Sequence, residues 1–308
     1  MNTELLVVGS VAFDTIHTPT GKADDALGGS ATYFSIAASH FVTPSLVAVV
    51  GTDFGPEHMN VLEKHTTDMK GLEIAEGETF RWGGRYLPDM AGRETLFTHL
   101  NVFESFVPKV PEEYCSPKTL FLANIDPVLQ TQVLDHVKQT EFVACDTMNF
   151  WIEGPRREAI LGLLPRLSCL IINDEESMLL TGLTNPIEAG PAIQKMGPNT
   201  VIIKKGPHGL ILFHEDDIFA LPAVPLSNVV DPTGAGDTFA GGFMGYITAK
   251  GSFDGETLRA ATIVGTLMAS FCVQGFGIER LVAMTPAELK EQYSRFLTCT
   301  TQPEIDLA

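Results

Sequence analysis

Residues 231–243 of this 308-residue chain read DPTGAGDTFAGGF, and no other stretch says as much about its fold. Pro232 ends the preceding element, because proline lacks an N–H and restricts the residue before it. Gly234 and Gly236 permit a tight turn, after which apolar residues recur at helical spacing. The stretch therefore predicts a glycine-rich turn that opens a helix.

The same turn has the properties of an anion site. At the start of a helix, unpaired N–H groups and the positive end of the helix dipole point the same way. Asp237 lies in the first helical turn, beside the place where an anion would bind. A carboxylate tolerates bound phosphate when a proton, a metal ion or a nucleophile's hydroxyl lies between them. The arrangement suits phosphoryl transfer to an alcohol, although Asp is also a common capping residue.

Residues 231–243 resemble the second signature of the ribokinase-like carbohydrate kinases, the phosphofructokinase-B family, which includes adenosine kinase. The resemblance implies an ATP-dependent, Mg²⁺-requiring kinase with Asp237 as the catalytic base. The amides that would hold the charge of the transferring group belong to Gly234, Ala235 and Gly236. We expect a low pKa for Asp237, because a helix N-terminus favours the anion.

The resemblance also leaves open a monovalent cation such as K⁺. In some relatives the residues that correspond to Asp231 and Thr233 supply carbonyl oxygens to it. The matching C-terminal segment here, residues 273–277, reads VQGFG and departs from the family pattern.

Composition limits the partners of the chain. Its formal net charge of −18 at pH 7 argues against nucleic acid and anionic membrane surfaces. The five cysteines contain no CxxC pair, so buried free thiols are expected. Because the chain shows no signal segment and no apolar run of membrane-spanning length, we expect a cytoplasmic protein.

Short apolar runs alternate with amphipathic stretches. The runs that predict strands buried on both faces are 5–8, 45–50, 120–123, 142–144, 170–172 and 200–203. The stretches that predict helices are 32–41, 128–138, 156–164, 186–196, 237–250, 255–272 and 286–297. A hairpin is predicted from 209–213 and 218–221. This alternation predicts an α/β fold with a mostly parallel central sheet and helices on both faces.

Two segments, about 11–27 and about 76–104, break the alternation. The first reads as a short strand and a polar stretch, the second as a hairpin with strands 79–87 and 95–103. We interpret both as one small sheet standing outside the main body of a single kinase domain, 1–308. In the resembled family a β-sheet lid at this place closes over the acceptor and often pairs two subunits. The resemblance therefore implies a homodimer through the lid.

Gly28 and Gly29 precede a predicted helix, as glycines do before many helices. In the resembled family a Gly-Gly pair at this place lies where the acceptor's hydroxyls bind. An Asn that usually follows it corresponds here to Tyr33, whose role is left open. Asp14 follows the first strand, where the resemblance implies a carboxylate that accepts hydrogen bonds from acceptor hydroxyls.

Asn173 and Glu176 have the spacing of a capping box at a helix start. They also match the family's Asn-x-x-Glu motif, whose Glu orients water around Mg²⁺ and phosphate. Lys205 and Gly206 belong to a basic glycine-containing turn, which in the family lines the ATP site. Asp146 resembles a family position near the magnesium and phosphate.

A small-molecule phosphate acceptor follows from the resemblance, and a sugar or polyol is the first expectation. A nucleoside is the alternative, because three aromatic residues near the lid could stack on a base. These are Phe13, Trp82 and Tyr86. An acceptor that already carries a phosphate would suit the lid arginines, which are Arg81, Arg85 and Arg93. A non-catalytic sugar-binding sensor is disfavoured by the intact Asp237, and a dinucleotide oxidoreductase by the missing G-x-G-x-x-G turn.

Overall fold

The computed structural model describes residues 3–90 and 92–303. The strands of this part are β1 (Leu5–Val8), β2 (Ala12–Thr18), β3 (Gly21–Gly28), β4 (Ser45–Gly51), β5 (Leu72–Ala75), β6 (Phe80–Tyr86), β7 (Arg93–His99), β8 (Thr119–Leu122), β9 (Phe142–Asp146), β10 (Cys169–Asn173), β11 (Thr200–Lys204), β12 (Leu210–His214) and β13 (Asp217–Leu221). Its helices are α1 (Ser30–Ser39), α2 (Pro56–His65), α3 (Pro127–His136), α4 (Asn149–Glu153), α5 (Arg157–Leu163), α6 (Asp174–Thr181), α7 (Pro186–Gln194), α8 (Ala235–Lys250), α9 (Gly255–Cys272), α10 (Glu279–Ala283) and α11 (Pro286–Thr300).

The central sheet has the strand order β13-β12-β11-β10-β9-β8-β1-β4-β5. Its strands pair in parallel from β11 to β5, whereas β12 and β13 form the antiparallel hairpin at one edge. Alternate residues of β1 enter two different cores: Leu5 and Val7 one, Leu6 and Val8 the other. Helices therefore cover both faces of the sheet, and the predicted α/β fold class is confirmed.

Helices α1 and α8 pack closely because α8 presents glycines to α1. A Cβ at Gly241 would lie 2.4 Å from the carbonyl oxygen of Phe34, and one at Gly245 would lie 3.0 Å from Cα of Ala38. Residue numbers rise together along the two helices, so the helices run in the same direction. The N-termini of α1 and α8 are thereby brought to the same end of the molecule. The Gly28-Gly29 pair precedes α1, and the glycine-rich turn precedes α8.

The smaller sheet has the order β3-β2-β6-β7 and contains the two segments that break the alternation. The polar stretch of the first segment is the strand β3, which is polar because half of its residues are exposed at a sheet edge. The expected second hairpin strand, 95–103, is wrong at both ends, since β7 spans Arg93–His99. It ends before Asn101, whose φ of +49° interrupts extended chain.

Five helices and strands of the described residues were not predicted as such: β3, α2, β5, α4 and α10, which are short or largely exposed. In α2 Leu62 is the one buried residue, so the apolar periodicity is weak. None of the helices in the described residues combines the length and apolar character that a membrane span requires. That the chain forms a single domain, with the small sheet as its lid, stays a prediction.

Candidate active site

Three neighbouring strands of the central sheet end in polar residues: β9 in Asp146, β10 in Asn173 and β11 in Lys204. The register pairs Asn173 with Lys204 and Asp146 with Ile171. Because parallel strands bring their carboxyl ends to one edge, these side chains converge. Lys204 Nζ lies 3.3 Å from Asp146 Oδ2, in a largely buried ion pair.

The glycine-rich turn has the predicted form. Gly234 adopts a φ of +73°, which is left-handed and suits glycine, and α8 begins at Ala235. A Cβ at Gly234 would lie 2.5 Å from three ring atoms of Tyr33, so the turn rests on that ring. A Cβ at Gly236 would lie 2.9 Å from Lys204 Nζ. The turn therefore lies against the polar edge of the sheet.

The three amides predicted to face an anion differ in their hydrogen bonding. The N–H of Ala235 donates to the carbonyl of Pro232 at 3.2 Å. No acceptor among the described residues takes the N–H of Gly234 or Gly236. Two of these amides thus remain available to a ligand, while the Ala235 amide is used by the turn itself.

Asp237 lies in the first turn of α8, but its pKa moves opposite to our expectation. Burial, with the negative charge of Asp146 as the second cause, raises the pKa of Asp237 to about 7. The positive charges of Lys204 and Arg93 oppose this rise without cancelling it. The expected low pKa is therefore wrong, because desolvation at this site outweighs the helix N-terminus.

Lys204 is the basic residue that reaches the turn, and the sequence analysis missed it. Burial alone would lower the pKa of Lys204, but the carboxylates around it raise the pKa above its usual value. These carboxylates belong to Asp146, Glu176 and Asp237. The neighbouring Lys205 and Gly206 form the next turn, where Gly206 is exposed, and their role at an ATP site stays a prediction.

Asn173 and Glu176 form the capping box of α6. Oδ1 of Asn173 accepts from the Glu176 N–H at 2.8 Å, and Oε2 of Glu176 accepts from the Asn173 N–H at 3.1 Å. Glu176 is only 8% exposed, and burial together with the Asp146 charge raises its pKa to about 7. The cap therefore holds a carboxyl group at the same sheet edge as Asp146 and Lys204.

Asp14 lies on β2 against the Gly-Gly pair. A Cβ at Gly28 would lie 2.0 Å from Asp14 Oδ2, so the side chain of Asp14 occupies the space that a larger residue would need. Gly29 adopts a φ of +93°, and a Cβ there would lie 2.6 Å from the carbonyl oxygen of Ser10. Both glycines are thus required by the local geometry.

The carboxyl group of Asp14 faces those of the glycine-rich turn. Asp14 is 4% exposed, and burial, followed by the charges of Asp231 and Asp237, raises its pKa to about 8. The structure therefore brings Asp14, far away in sequence, within electrostatic range of Asp237. A polyhydroxyl acceptor between these two carboxyl groups would meet hydrogen-bond acceptors on both sides.

Tyr33 stands where the resembled family usually has an asparagine, and its side chain acts differently from an amide. Its side chain is 1% exposed, and its hydroxyl has no hydrogen-bond partner among the described residues. Burial and the nearby charge of Asp14 raise the pKa of Tyr33. The ring of Tyr33 packs against Gly234, so Tyr33 positions the glycine-rich turn.

Two of the three aromatic residues that favoured a nucleoside are engaged in protein contacts. Phe13 is 4% exposed and packs against Phe54 and His58, with ring centroids 5.7 and 4.8 Å away. The Tyr86 hydroxyl lies 3.1 Å from Oγ1 of Thr233. The expectation that Phe13 is available to stack on a sugar or base is therefore wrong in this conformation, since Phe13 is part of the core.

Asp231 and Thr233, the residues suggested for a monovalent cation, bind each other and the C-terminal segment. The Asp231 carboxylate accepts from the Thr233 N–H at 2.8 Å and from the Gly277 N–H at 3.2 Å. The Thr233 carbonyl oxygen lies 3.4 Å from Cys272 Sγ. Of the two carbonyl oxygens suggested for K⁺, that of Thr233 thus has a protein partner, while the contacts of Asp231 involve its carboxylate. The K⁺ site stays a prediction, and no step is derived through it.

Mg²⁺ fits the donors at the sheet edge. Asp146 and Glu176 provide carboxylate oxygens, which are the ligands that Mg²⁺ prefers. Among the residues described, no cluster of three or more His, Cys, Asp or Glu side chains is arranged to enclose a metal. This suits an ion that binds through water, one or two carboxylates and the phosphates of a substrate.

Comparisons with known proteins show which proteins the chain as a whole resembles. The profile of the pfkB family carbohydrate kinases matches residues 2–282. The cytidine kinase of Thermococcus kodakarensis is 29% identical over 79% of this chain and 88% of its own length. The inositol 3-kinase of Arabidopsis thaliana is 23% identical over 96% of this chain and 80% of its own length. The crystal structure of Methanocaldococcus jannaschii nucleoside kinase, an archaeal member of the ribokinase family, superimposes with a TM-score of 0.75 at 19% identity, over 96% of this chain and all of that one.

Proposed function

Because the chain belongs to the pfkB family of carbohydrate kinases, we propose that it transfers the γ-phosphoryl group of ATP to a hydroxyl of a sugar or polyol, with Asp237 as base. The observation that supports this assignment is that Asp14 and Asp237 lie within electrostatic range of each other, so that both could contact one acceptor molecule. The family is one of carbohydrate kinases, and the two named relatives are kinases of a nucleoside, cytidine, and of a polyol, inositol.

The proton of the acceptor hydroxyl passes to Asp237 as the oxygen attacks the γ-phosphorus. The bond between that phosphorus and the bridging oxygen of ADP breaks, and ADP leaves. A carboxyl group with a pKa of about 7 is well matched to this transfer near neutral pH. The transition state is loose, so positioning and charge stabilisation carry most of the rate.

The developing charge would be stabilised by hydrogen-bond donors and positive charge from the turn and the sheet edge. The free N–H groups of Gly234 and Gly236 and the ammonium of Lys204 supply hydrogen bonds and positive charge. Mg²⁺, when bound with the nucleotide, neutralises charge on the phosphate oxygens. Glu176 and Asp146 are the carboxylates that we propose to orient its water ligands.

Asp14 is proposed to bind the acceptor through vicinal hydroxyls. With a pKa of about 8, its neutral carboxyl group would accept a hydrogen bond from one hydroxyl and donate its own O–H to the other. Gly28 leaves the space that the Asp14 side chain occupies. The carboxyl group of Asp14 would recognise a polyhydroxyl unit, whether a free sugar, a polyol or the ribose of a nucleoside. A sugar or polyol therefore remains the first candidate, because Phe13 and Tyr86 are engaged in protein contacts.

A nucleoside is the second candidate, and the cytidine kinase relative favours it. Its ribose would use Asp14 in the same way as a free sugar. Further assignments rest on the resemblance: Lys205, Gly206 and Thr233 along the nucleotide, and the small sheet as a lid that pairs two copies. Sedimentation of the purified protein would test that pairing.

An ATP-consumption assay over sugars, polyols and nucleosides, with Mg²⁺ present or chelated, tests the function and ranks the acceptors. On the best acceptor, Asp237→Asn should lower kcat by roughly 10²–10⁴ and remove the acid limb of the pH profile near pH 7. Glu256→Gln is the matched control, because Glu256 is an exposed acid in the first turn of α9. A wild-type rate for Asp237→Asn would refute the assignment of the base.

A further inference from the structure

The inner face of the small sheet, the face that meets the glycine-rich turn, carries Tyr86. Its hydroxyl oxygen lies 3.1 Å from Oγ1 of Thr233. Arg93 on β7 pairs directly with Tyr86 on β6. Because residues opposite each other in a sheet point to the same face, Arg93 also lies on this inner face. Its guanidinium carbon lies 5.3 Å from the centre of the Trp82 ring.

Arg93 faces carboxyl groups without being paired to one. Burial raises the pKa values of Asp14, Glu176 and Asp237, and the positive charge of Arg93 opposes each of these rises. The three residues come from separate segments of the chain. Yet no carboxylate among the described residues forms an ion pair with Arg93, whereas Arg81 is paired with Asp53. Arg93 is thus an exposed cation within electrostatic range of the site that hydrogen-bonds Tyr86 and is not paired with a carboxylate among the described residues.

The other nearby cations are already used by the protein. Lys204 is paired with Asp146 at 3.3 Å, and Arg81 is paired with both Asp25 and Asp53. An anion could engage Arg93 without breaking an ion pair of this kind. Arg93 differs from Lys204 and Arg81 in that no carboxylate among the described residues pairs with its guanidinium group.

A phosphoryl group that moves toward Asp14 and Asp237 approaches two carboxyl groups. The ionised carboxylates would repel the negatively charged equatorial oxygens of the phosphoryl group unless positive charge lies close by. Lys204 supplies such charge from the sheet edge. The inner face of the small sheet meets the turn through Tyr86 and Thr233, and Arg93 is a cation on that face.

We propose that Arg93 contacts the transferring phosphoryl group of ATP from the small sheet, exchanging its contact with Trp82 for hydrogen bonds to phosphoryl oxygens. The planar fork of a guanidinium matches two such oxygens. This inference rests on the proposed kinase function. Arg93 gains and loses no atom or proton, since the proton of the acceptor goes to Asp237 and the phosphoryl group goes to the acceptor oxygen.

Arg93→Gln, Arg93→Lys and the control Arg85→Gln test this role with an uncharged acceptor. Arg85 precedes Tyr86 on β6, is exposed, and points to the opposite face of the sheet. Arg93→Gln should lower kcat by about 10²–10³ while the acceptor KM changes less than about threefold. Arg93→Lys should recover part of kcat, because lysine keeps the charge but not the fork. Arg85→Gln should behave as wild type.

Two kinetic outcomes overturn the proposal. One is an unchanged kcat for Arg93→Gln. The other is a rise in KM confined to acceptors that carry a carboxylate or phosphate, which would show that Arg93 holds the acceptor's own anion.

A binding measurement separates this inference from the kinase function itself. In calorimetry with Mg²⁺, Arg93→Gln should reduce the preference for ATP over ADP by about fivefold or more, because ADP lacks the group that Arg93 contacts. If the wild-type protein phosphorylates no acceptor, the proposed function fails, and the nucleotide comparison still decides the role of Arg93. An unchanged preference for ATP overturns that role.

Discussion

Asp14→Asn should make the ligand-free protein more stable at alkaline pH, although it removes a proposed acceptor-binding group. Asp14 is 4% exposed, and burial and the charges of Asp231 and Asp237 raise its pKa from 3.8 to about 8. The folded state therefore favours the neutral acid. That stability is fully present below about pH 4 and is lost as the pH rises to about 8. Asparagine stays neutral throughout and avoids the loss.

The size of the effect follows from the shift in pKa. Each pKa unit corresponds to about 1.4 kcal/mol, so the shift from 3.8 to about 8 sets an upper limit of about 6 kcal/mol. Even buried sites respond with a high effective dielectric constant, so we expect about 1–3 kcal/mol to be measured. The hydrogen bond from the Gly29 N–H can be kept by the side-chain oxygen of asparagine.

Urea unfolding of the ligand-free protein at pH 5.5 and pH 9 measures this difference. At pH 9 Asp14→Asn should have the larger free energy of unfolding, and at pH 5.5 its advantage should be less than half as large, because less than half of the interval from 3.8 to about 8 lies below that pH. Asp24→Asn is the control, because Asp24 is exposed on the same small sheet and paired with Lys22 at 2.8 Å. The reasoning is refuted if Asp14→Asn is less stable than wild type at pH 9, or if both proteins depend on pH equally.

Two further substitutions test the geometry of the site. Gly28→Ala should raise the acceptor KM at least about tenfold by displacing the Asp14 carboxylate, which lies 2.0 Å from the added methyl position, whereas Gly162→Ala meets nothing within 4 Å and should leave kinetics unchanged. Equal KM values for the two variants would contradict the packing argument. Tyr33→Phe should keep kcat and stability, since it removes an unpartnered hydroxyl, whereas Tyr33→Asn should lower kcat by removing the ring under Gly234. A large rise in acceptor KM for Tyr33→Phe would instead place the hydroxyl on the acceptor.

The sequence predicted the central sheet well because its signals are local. Strand β1, predicted over 5–8, spans Leu5–Val8, and α9, predicted over 255–272, spans Gly255–Cys272. Runs buried on both faces and amphipathic periods of 3.6 residues are visible within a short window. The exposed α2 gives no such signal, since Leu62 is its one buried residue.

The site was predictable in part. The glycine-rich turn and the Asp237 beside it could be recognised, because a tight turn and a helix start require particular residue types in order. The distinction between Lys204 and Lys205 could not be made. Adjacent residues at a strand end point to opposite sides, and only the packing of α8 against the sheet selects Lys204.

By itself the sequence determined the α/β class, the family resemblance and the position of an anion-binding turn, since each depends on residues that are near neighbours in the chain. Only the tertiary structure decided that Asp14 faces Asp237, that Tyr33 supports Gly234, and that Phe13 is buried. It also decided that burial raises the pKa of Asp237 above that of a helix-capping aspartate. Desolvation and Coulomb interaction depend on burial and on distances in space. Folding brings together groups that are far apart in the sequence, so the sequence positions alone do not give these distances.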